Sequence, residues 1–458
     1  GSFPPCRKTT TYMKQILLIG AGRSATVLID YLLDLCPKED WFLTVGDLSL
    51  SLAQSKIKGS SHARAIQFNV NNEAQLSQEV TRADLVISML PARFHHLPAA
   101  RCVQFKKPLL TASYVSPEVR KLDGEAKKQG VMLLMECGLD PGIDHMSGMK
   151  VLDRIRREGY ELTGFETFTG GLIAPESSLD NPWQYKFTWN PRNVVLAGQG
   201  IVKFIQEGRY KFIPYHRLFR RTEQIFIPEH GYFEGYANRD SLKYLDVYKL
   251  HGIRTLYRGT LRRPGFSQAW DAFIQLGATD DTYQMEGVDQ MTHRQFINSF
   301  LSYDPHNSIE LKMAHYLKLD LDGPLMHKFQ WLGMFDDEPV GLAKGTPAQV
   351  LEHILSKKWA MQPEDKDQIV MYHKFNFLEG DNPREMQSYM VLTGKNAEQT
   401  AMSQTVGLPL GIAAKLMLQG KLHIPGVQIP VKQEIYDPIL AELALHGIEF
   451  IERELELT

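Results

Sequence analysis

Cysteine is scarce in this sequence. The 458 residues include four cysteines, at widely separated positions: Cys6, Cys36, Cys102 and Cys137. No pair has the C-x-x-C spacing, so the sequence predicts neither a disulfide framework nor a structural zinc site. Such sparse use of cysteine is typical of proteins from a reducing compartment, and we expect a cytoplasmic protein.

Neither sign of charge is in excess. The 51 lysines and arginines nearly balance the 53 aspartates and glutamates, which leaves a formal net charge of -2. The chain has no block of about five or more like charges, so we expect no nucleic-acid partner and no polybasic membrane anchor. No apolar run approaches the roughly 18 residues of a membrane span, and we expect no association with a membrane.

The sequence does have a large apolar fraction, 43%, which is enough for two or three domains around at least one substantial core. Between Lys14 and about Met135, short apolar runs alternate with amphipathic stretches. Strands are predicted at QILLIG, WFLTVG, ARAIQFNV, DLVISML, PLLTAS and VMLLM, with helices between them. Strands this apolar are typical of parallel sheets covered on both faces. The pattern therefore predicts an α/β, Rossmann-type doubly wound domain.

The pattern changes after residue 136. Strand-like and helical segments then mix, residues 266–361 have mostly helical periodicity, and EGDNP is predicted to be the tip of an antiparallel hairpin. We expect a mixed α/β substrate domain with a helical subdomain. The predicted limits are 13–136 for the Rossmann-type domain, 137–265 with 362–424 for the substrate domain and 266–361 for the helical subdomain, while about 425–458 could pack back on the first domain.

A glycine-rich turn follows the first predicted strand. In ILLIGAGRSATVLIDYL, Gly20, Gly22 and Ala25 form a G-x-G-x-x-A motif between a strand and a helix. The first glycine permits the tight turn, the second lets a pyrophosphate approach, and the small third residue allows close packing. Packing alone also produces such turns, but the strand-turn-helix context favours a dinucleotide site. We expect the whole loop to contribute: Gly20, Gly22, Arg23, Ser24 and Ala25.

Asp47 ends the second predicted strand, at the separation where a carboxylate accepts hydrogen bonds from the adenosine ribose. A carboxylate there would repel a 2′-phosphate, and no arginine follows it closely. NAD is therefore predicted, with NADP as the alternative. A loop aspartate that caps the next helix is the structural reading of the same residue.

Polar segments follow the fourth, fifth and sixth predicted strands. Sheets of this class bind ligands beyond the carboxyl ends of their strands, so these segments should border the nicotinamide. The predicted rim residues are Ser88, Pro91, Ser113, Tyr114 and Leu139. The segment ECGLDPGIDH, residues 136–145, follows the sixth strand and should open onto the same cleft.

Three segments together resemble one enzyme family. ECGLDPGIDH, GGLIAPESSLDNPWQYKFTWNPR and YANRDS are similar to sequences of the saccharopine dehydrogenases that form glutamate, and the resemblance runs over nearly the whole chain. It implies an enzyme that interconverts saccharopine with glutamate and 2-aminoadipate semialdehyde by means of a nicotinamide cofactor. It also implies a dinucleotide-binding domain, a mixed α/β substrate domain and a helical subdomain.

The resemblance implies roles for individual residues. Asp140 corresponds to the family aspartate near the reacting nitrogen, which makes it the leading acid-base candidate, although an Asx-turn before Pro141 would also use an aspartate. Tyr114 corresponds to a tyrosine implicated in proton transfer. Arg239 corresponds to an arginine that binds a substrate carboxylate, for which a planar guanidinium is well suited.

Other substrate-site candidates are Ser113, Thr169, Lys186 and Arg192, where a solvated surface cation is an equal alternative for Lys186 and Arg192. Thr169 is a departure, since the family stretch CGGLPAPE has cysteine at that position. Threonine forms hydrogen bonds but supplies no thiolate near neutral pH, so a mechanism that requires that thiol fails here. Asp47 is a second departure, because fungal members typically use NADP and carry arginine near the second strand.

A structural role is expected for His145 in preference to a catalytic one. Asp144 suits the N-cap of a helix beginning near Met146, and His145 should fasten the same turn. His95 and His96 lie near the cofactor rim as open alternatives. The histidines have no ligand-spaced cluster around them, so no metal is predicted.

Two alternatives remain at this point. A carboxynorspermidine-type dehydrogenase would condense a related aldehyde with a diamine, whereas Arg239 favours an amino-acid partner. A nucleotide-binding relative that has lost catalysis is conceivable because of Thr169. The predicted partners are small molecules, and the sequence leaves a homodimer open.

Overall fold

The computed structural model describes residues 12–457. Its strands are, in chain order, β1 (Lys14–Ile19), β2 (Trp41–Asp47), β3 (Ala63–Gln67), β4 (Leu85–Ser88), β5 (Leu109–Thr111), β6 (Met132–Leu134), β7 (Glu161–Ile173), β8 (Val202–Gln206), β9 (Arg209–Ile213), β10 (Glu223–Ile227), β11 (Gly231–Ala237), β12 (Thr255–Arg262), β13 (Asp367–Glu379), β14 (Asn382–Thr393), β15 (Gly426–Gln428) and β16 (Ile451–Leu455).

The helices are α1 (Thr26–Glu39), α2 (Leu50–Ile57), α3 (Glu73–Arg82), α4 (His96–Phe105), α5 (Pro117–Arg120), α6 (Asp123–Gln129), α7 (Ile143–Arg157), α8 (Pro191–Val195), α9 (Tyr215–Leu218), α10 (Tyr244–Val247), α11 (Phe266–Leu276), α12 (His293–Asn298), α13 (Ile309–Leu317), α14 (Pro324–Trp331), α15 (Pro347–Trp359), α16 (Ala401–Leu418) and α17 (Gln433–Leu445). The chain divides into a first unit, residues up to 147 with 403–446, and a second unit, residues 148–402 with those from 447 onward.

The first unit contains a parallel sheet with the strand order β15-β6-β5-β4-β1-β2-β3. Its central strand β1 is buried along most of its length, because KQILLI is apolar on both faces. The strand order reverses at β1, which pairs with both β2 and β4. Ligands of doubly wound sheets bind at such a switch point, beyond the carboxyl ends of the strands. The predicted fold class is confirmed.

Helix α16 packs closely on α1 in the first unit, although the sequence placed residues 362–424 in the substrate domain. A Cβ on Gly411 would lie 2.5 Å from a ring carbon of Tyr31, and one on Gly407 would lie 3.0 Å from the Leu28 nitrogen. These glycines allow the two helices to approach. The predicted domain limits therefore differ from the structure here, and β15 after α16 extends the parallel sheet beside β6.

The second unit contains a nine-stranded sheet with the path β10-β11-β12-β7-β13-β14-β16, and β8 and β9 attach beside β12. Strands β7 and β12 are parallel, while β13 and β14 form the predicted antiparallel hairpin. The closing strand β16 pairs with β14. The segment from about 425, which by the prediction could pack on the first domain, is therefore divided: residues 425–446 belong to the first unit and residues 447–457 to the second.

The predicted helical range 266–361 contains α11 to α15. These helices share an aromatic core in which three buried indole rings lie close together. The ring of Trp359 lies 5.3 Å from that of Trp183 and 6.2 Å from that of Trp270, measured between centroids. Large aromatic side chains contribute strongly to packing, so this cluster stabilises the helical part of the second unit.

Helix α16 is long and apolar enough to cross a membrane, by length and composition alone. This differs from the expectation that the chain has no apolar segment of that length. The burial of its side chains points to a different role, since 78% of the helix is buried inside the protein. Its sequence also includes Gln404 and Lys415. We interpret α16 as a core helix.

Candidate functional site

The glycine-rich turn begins where β1 ends. Gly20 has a φ of +105°, a region that side-chain-bearing residues rarely adopt. Its N–H donates to the Gly46 carbonyl at 2.7 Å, and a Cβ on Gly20 would lie 2.8 Å from the Met89 carbonyl oxygen. Any side chain here would displace the backbone that follows β4, so the turn requires glycine.

Gly22 has a different reason to be glycine. Its φ is -66°, and a Cβ at this position would meet no described atom within 4 Å. The empty space in front of Gly22 is the volume that a pyrophosphate needs for close approach to the backbone. Arg23 and Ser24 are exposed and Ala25 is buried. Among the described residues, no side chain caps the turn Arg23–Ala25, so its amide end suits an anionic ligand. The residues present fit a dinucleotide.

The Asp47 carboxylate holds two loops together. Its Oδ2 accepts a hydrogen bond from the Ala21 N–H at 2.8 Å, and its Oδ1 accepts one from the Ser49 N–H at 2.8 Å. Asp47 thus fixes the glycine-rich turn against the end of β2. The N-cap of helix α2 is Ser49. The alternative interpretation, in which Asp47 caps this helix, is therefore wrong. Each carboxylate oxygen keeps acceptor capacity, and a bond to a ribose hydroxyl stays a prediction.

A buried histidine connects the ends of β4 and β5. His95 is 2% exposed, and its Nδ1 lies 2.8 Å from the Ser88 hydroxyl while its Nε2 lies 2.7 Å from the Ser113 hydroxyl. Burial, with a smaller contribution from His96, lowers the pKa of His95 to about 4. The imidazole is therefore neutral at physiological pH, with one nitrogen donating and the other accepting. This network fixes the predicted rim residues Ser88 and Ser113.

The segment after β6 forms a tight turn that packs on the end of β5. The Gly138 N–H donates to the Pro141 carbonyl at 3.0 Å, and the Cys137 N–H donates to the Thr111 carbonyl at 3.1 Å. A Cβ on Gly142, whose φ is +149°, would lie 2.1 Å from the Gly138 oxygen. This turn belongs to the carboxyl edge of the parallel sheet, as the sequence predicts.

Glu136 and His145 form a buried pair beneath this turn. The His145 Nε2 lies 2.9 Å from the Glu136 Oε1, and the Glu136 Oε2 accepts a hydrogen bond from the Val115 N–H at 3.3 Å. The Glu136 N–H donates to the Ser113 carbonyl at 3.0 Å. The pair thus links the turn to the residues on both sides of Tyr114, and the structural interpretation of His145 fits these contacts.

Asp144 fastens the turn by a different route from the predicted one. Helix α7 begins at Ile143 instead of near Met146, so Asp144 lies inside the first turn and is not its N-cap. The Asp144 Oδ1 instead accepts a hydrogen bond from the Gly142 N–H at 2.7 Å. A buried carboxylate bound to the glycine amide stabilises the same turn.

The two predicted acid-base residues lie on the loops just described. Asp140 is half-buried within the turn, and Tyr114, after β5, is 39% exposed. Pro91 is exposed on the loop after β4, whereas Leu139 is buried. The structure brings Asp140 and Tyr114 to one sheet edge, and their catalytic roles stay predictions.

In the second unit, Thr169 lies in the middle of β7. It pairs with Met371 of β13 and Thr260 of β12, and its side chain is half-buried. A Cβ on the neighbouring Gly171 would lie 3.5 Å from the Thr188 hydroxyl. Thr169 and Gly171 share a face of the sheet, because side chains two apart in a strand point the same way. The segment TGGLIAPE therefore presents the Thr169 hydroxyl on this face.

Two predicted substrate cations have carboxylate partners within the second unit. The Lys186 Nζ lies 2.6 Å from the Asp365 Oδ2, and both side chains are buried for the most part. The Arg192 guanidinium, on α8, pairs with Asp281. These contacts argue against the predicted substrate roles of Lys186 and Arg192, because each side chain already forms an ion pair that joins distant segments of the chain.

Arg239 differs from both. It follows β11 with a φ of +52°, and its side chain is exposed. The Arg239 carbonyl accepts a hydrogen bond from the Lys203 N–H at 3.0 Å, which fixes the turn. Within residues 12–457, no hydrogen bond or ion pair involves its guanidinium. The Arg239 guanidinium is therefore available to bind a substrate carboxylate, and this role stays a prediction.

Sequence reasoning missed several residues. Glu136 opens the conspicuous segment, but its partner could not be read from the sequence. Arg262 and Arg263, in RGTLRRPGF, are both buried, although adjacent arginines usually suggest a solvated surface. Arg262 lies over the ring of Tyr185 at 5.1 Å. Groups of three or more His, Cys, Asp or Glu placed to hold a metal were not found in the described part of the chain.

Two family models match the chain. The model described as Saccharopine dehydrogenase NADP binding domain matches residues 16–134, and the one described as Saccharopine dehydrogenase C-terminal domain matches residues 138–448. The first match ends with β6, and the second begins in the turn that carries Asp140.

Named relatives match over nearly the whole chain. Saccharopine dehydrogenase (NADP(+), L-glutamate-forming) of Saccharomyces cerevisiae is 33% identical over 94% of this chain and 96% of its own length. The protein of the same name from Schizosaccharomyces pombe is 30% identical over 97% and 100%. Mitochondrial alpha-aminoadipic semialdehyde synthase of Rattus norvegicus is 32% identical, but the match spans 47% of that protein. The solved structure of apo saccharopine dehydrogenase (L-Glu forming) from Saccharomyces cerevisiae covers 97% of this chain at 31% identity, with a TM-score of 0.89.

Proposed function

This chain belongs to the saccharopine dehydrogenase family, and on that basis we propose that it is an oxidoreductase for the CH–NH bond of saccharopine in lysine metabolism. In the oxidative direction, saccharopine, water and the oxidised nicotinamide dinucleotide give L-glutamate, 2-aminoadipate 6-semialdehyde and the reduced dinucleotide. The observation that carries the proposal is the position of Asp140: its turn shares the carboxyl edge of one parallel sheet with the dinucleotide loop. A reacting carbon-nitrogen bond placed there would lie beside both a proton acceptor and the cofactor.

Gly20, Gly22 and the end of β2 would hold the nicotinamide dinucleotide, which accepts the hydride when it is bound. Asp140 accepts the proton of the secondary amine as the hydride leaves the adjacent carbon. Water then adds to the resulting imine, and the carbon-nitrogen bond breaks to give the aldehyde and the amine of glutamate. Tyr114 orients that water or shares the proton. General catalysis of this kind contributes about 10²–10⁴-fold to a rate.

Substrate recognition needs fixed cations, because saccharopine carries three carboxylates. Arg239 binds one of them through its available fork, in a bidentate contact that is stronger than a neutral hydrogen bond. Ser113 has its hydroxyl fixed by His95, which makes it a preorganised hydrogen-bonding group at the same sheet edge as Asp140. Thr169 supplies a hydroxyl where the resemblance implies a cysteine, so its role is hydrogen bonding and not thiolate chemistry.

The cofactor is proposed to be NAD(H). The relatives' names specify NADP(+), and the matching domain model is described as NADP binding. Asp47 favours NAD(H) instead. Its carboxylate is held at the end of β2 by two main-chain donors and would repel the 2′-phosphate of NADP(H). For NADP(H) to bind, a cation would have to offset this repulsion. The exposed Arg23 of the glycine-rich turn is the candidate for that role.

A reducing, cytoplasmic location is also proposed. Cys36, Cys102 and Cys137 are buried and unpaired, while Cys6 lies outside the described residues. Burial raises the pKa of Cys36 to about 11 and that of Cys137 to about 12, which makes both thiols unreactive. A homodimer stays a prediction that light scattering of the purified protein would test.

The experiment is an assay of the purified protein with saccharopine and either NAD or NADP at mildly alkaline pH. Formation of reduced nicotinamide is expected. The reverse direction is run with the aldehyde and either glutamate or a diamine, which separates the proposal from the carboxynorspermidine-type alternative. If neither dinucleotide is reduced with saccharopine, the substrate assignment fails.

A further inference from the structure

The second unit contains a cavity of about 520 Å³ beside the segment that follows β7 and the end of β12. Its wall includes Gln184, Tyr232, Arg263 and His327, and Asp180 lies at its exposed margin. The proposed reaction uses none of these residues. The cavity is large enough for a small metabolite, since ligand pockets usually start at about 300 Å³.

Arg263 is a buried cation in this wall. Its side chain is 9% exposed, and its guanidinium lies 4.6 Å from the centroid of the Phe233 ring. One Nη2 N–H donates to the Gln368 Oε1 at 2.7 Å. Arginine carries five N–H donors, and over the described range no other hydrogen bond and no carboxylate partner is found for this side chain. Most N–H donors of the Arg263 guanidinium therefore have no acceptor in the protein at the wall of the cavity.

A buried charge without a counter-ion destabilises a fold by several kcal/mol unless something compensates for it. Burial also lowers the pKa of Arg263, with no opposing effect from a nearby carboxylate. Two exposed arginines of the second unit do have such partners: Arg220 pairs with Asp271 and Arg254 pairs with Glu207. The missing acceptor at Arg263 is best explained by a ligand that enters the cavity.

The cavity lies on the side of the nine-stranded sheet away from Thr169. Gln368, which holds Arg263, pairs with Leu172 of β7, whereas Thr169 pairs with Met371. Side chains alternate between the two faces along a strand, so Leu172 and Gln368 point away from the face of Thr169. The Arg263 cavity is thus separate from the face that carries the family motif residue.

We propose that this cavity binds a small organic oxyanion through the Arg263 guanidinium. The bound group is one carboxylate or phosphate, which forms a bidentate contact with the planar guanidinium. His327 and Gln184 supply further polar contacts from α14 and from the segment after β7. Asp180 at the margin disfavours polyanions, so the ligand carries a single anionic group and not an extended phosphate chain. The proposal concerns a second site and does not rest on the oxidoreductase activity.

The test is thermal unfolding of the full chain, without dinucleotide, in the presence of inorganic phosphate or acetate. Four proteins are compared: wild type, Arg263→Met, Arg263→Lys and Arg254→Met, the last as an exposed control outside the cavity. The use of both anions distinguishes a phosphate ligand from a carboxylate one. Saturation by one anion at 100 times its Kd raises the apparent stability of wild type by about 2.7 kcal/mol.

The expected result is a rise of Tm with one anion in wild type and in Arg254→Met, a smaller rise in Arg263→Lys, and none in Arg263→Met. Without anion, Arg263→Met should melt at or above the wild-type temperature, because an unpaired buried charge has been removed. A lower Tm of Arg263→Met with an unchanged response to both anions would show that Arg263 has a structural role and would overturn the proposal.

Discussion

Asp140 is the residue on which the proposed chemistry depends most. Replacing it with asparagine keeps the shape of the turn but removes the proton acceptor. We predict that Asp140→Asn lowers kcat by about 10²–10⁴-fold while the affinity for the dinucleotide stays within about twofold. Asp34→Asn, on the exposed side of α1, serves as control and should leave both quantities unchanged. Equal turnover by the two variants would remove Asp140 from the mechanism.

Asp47 is the residue on which the proposed preference for NAD(H) rests. Its carboxylate is held at the end of β2 by two main-chain N–H donors, so a 2′-phosphate should bind poorly there. We predict that kcat/KM for NAD exceeds that for NADP by at least about tenfold, equivalent to about 1.4 kcal/mol. Steady-state kinetics with both dinucleotides at low ionic strength measures this ratio. A ratio that favours NADP would instead align this chain with the names of its relatives.

His95 connects pH to stability. The unfolded pKa of histidine is about 6.5, and the folded value is about 4, so the unfolded chain binds more protons between these limits. The contribution of His95 is therefore complete above pH 6.5 and is lost as pH falls through about 4, by about 3 kcal/mol in total. Urea unfolding at several pH values should show a shallower acid loss in His95→Gln than in wild type.

The exposed His306 supplies the control for this experiment. His306→Gln should retain the wild-type slope of stability against pH. Identical slopes for wild type and His95→Gln would mean that His95 accepts a proton in the folded protein without cost, contrary to its burial.

At the level of elements, the junction of β1 with α1 contains two glycines with different requirements. A side chain on Gly22 meets empty space, so Gly22→Ala should fold as wild type does but should weaken dinucleotide binding by at least about tenfold, through occlusion of the phosphate volume. Gly20→Ala combines a strained φ with a contact to the Met89 carbonyl, and it should lower the free energy of unfolding by about 2 kcal/mol. Thermal unfolding and fluorescence titration with NAD separate the two effects. Unchanged binding by Gly22→Ala would place the cofactor elsewhere.

How far elements can be read from the sequence depends on the range of the interactions. The strands of the first sheet follow from local apolar runs, and β1 to β6 are all where the sequence predicts them. The position of α16 depends on Gly407 and Gly411 facing α1, nearly 400 residues earlier, and no local pattern indicates that contact. The same limit applies to the Lys186–Asp365 pair, which joins segments 179 residues apart.

On the scale of the whole molecule, the sequence motifs located the candidate site better than they divided the domains. The glycine-rich turn and ECGLDPGIDH both lie at the predicted sheet edge, because parallel strands place their carboxyl ends together. The unit boundaries at 147 and 402 could not be predicted, since α7 and α16 are continuous helices through which the chain passes from one unit to the other. A helix pattern alone does not show where a domain ends.

The measurement that tests the central claim most directly is the identity of the amino acid released from saccharopine. The purified protein is incubated with saccharopine and NAD, and the amino acids formed are quantified against reduced nicotinamide. The account predicts one glutamate for each reduced nicotinamide, together with the aldehyde and without lysine. Reduced nicotinamide without glutamate, or release of lysine in its place, would contradict it.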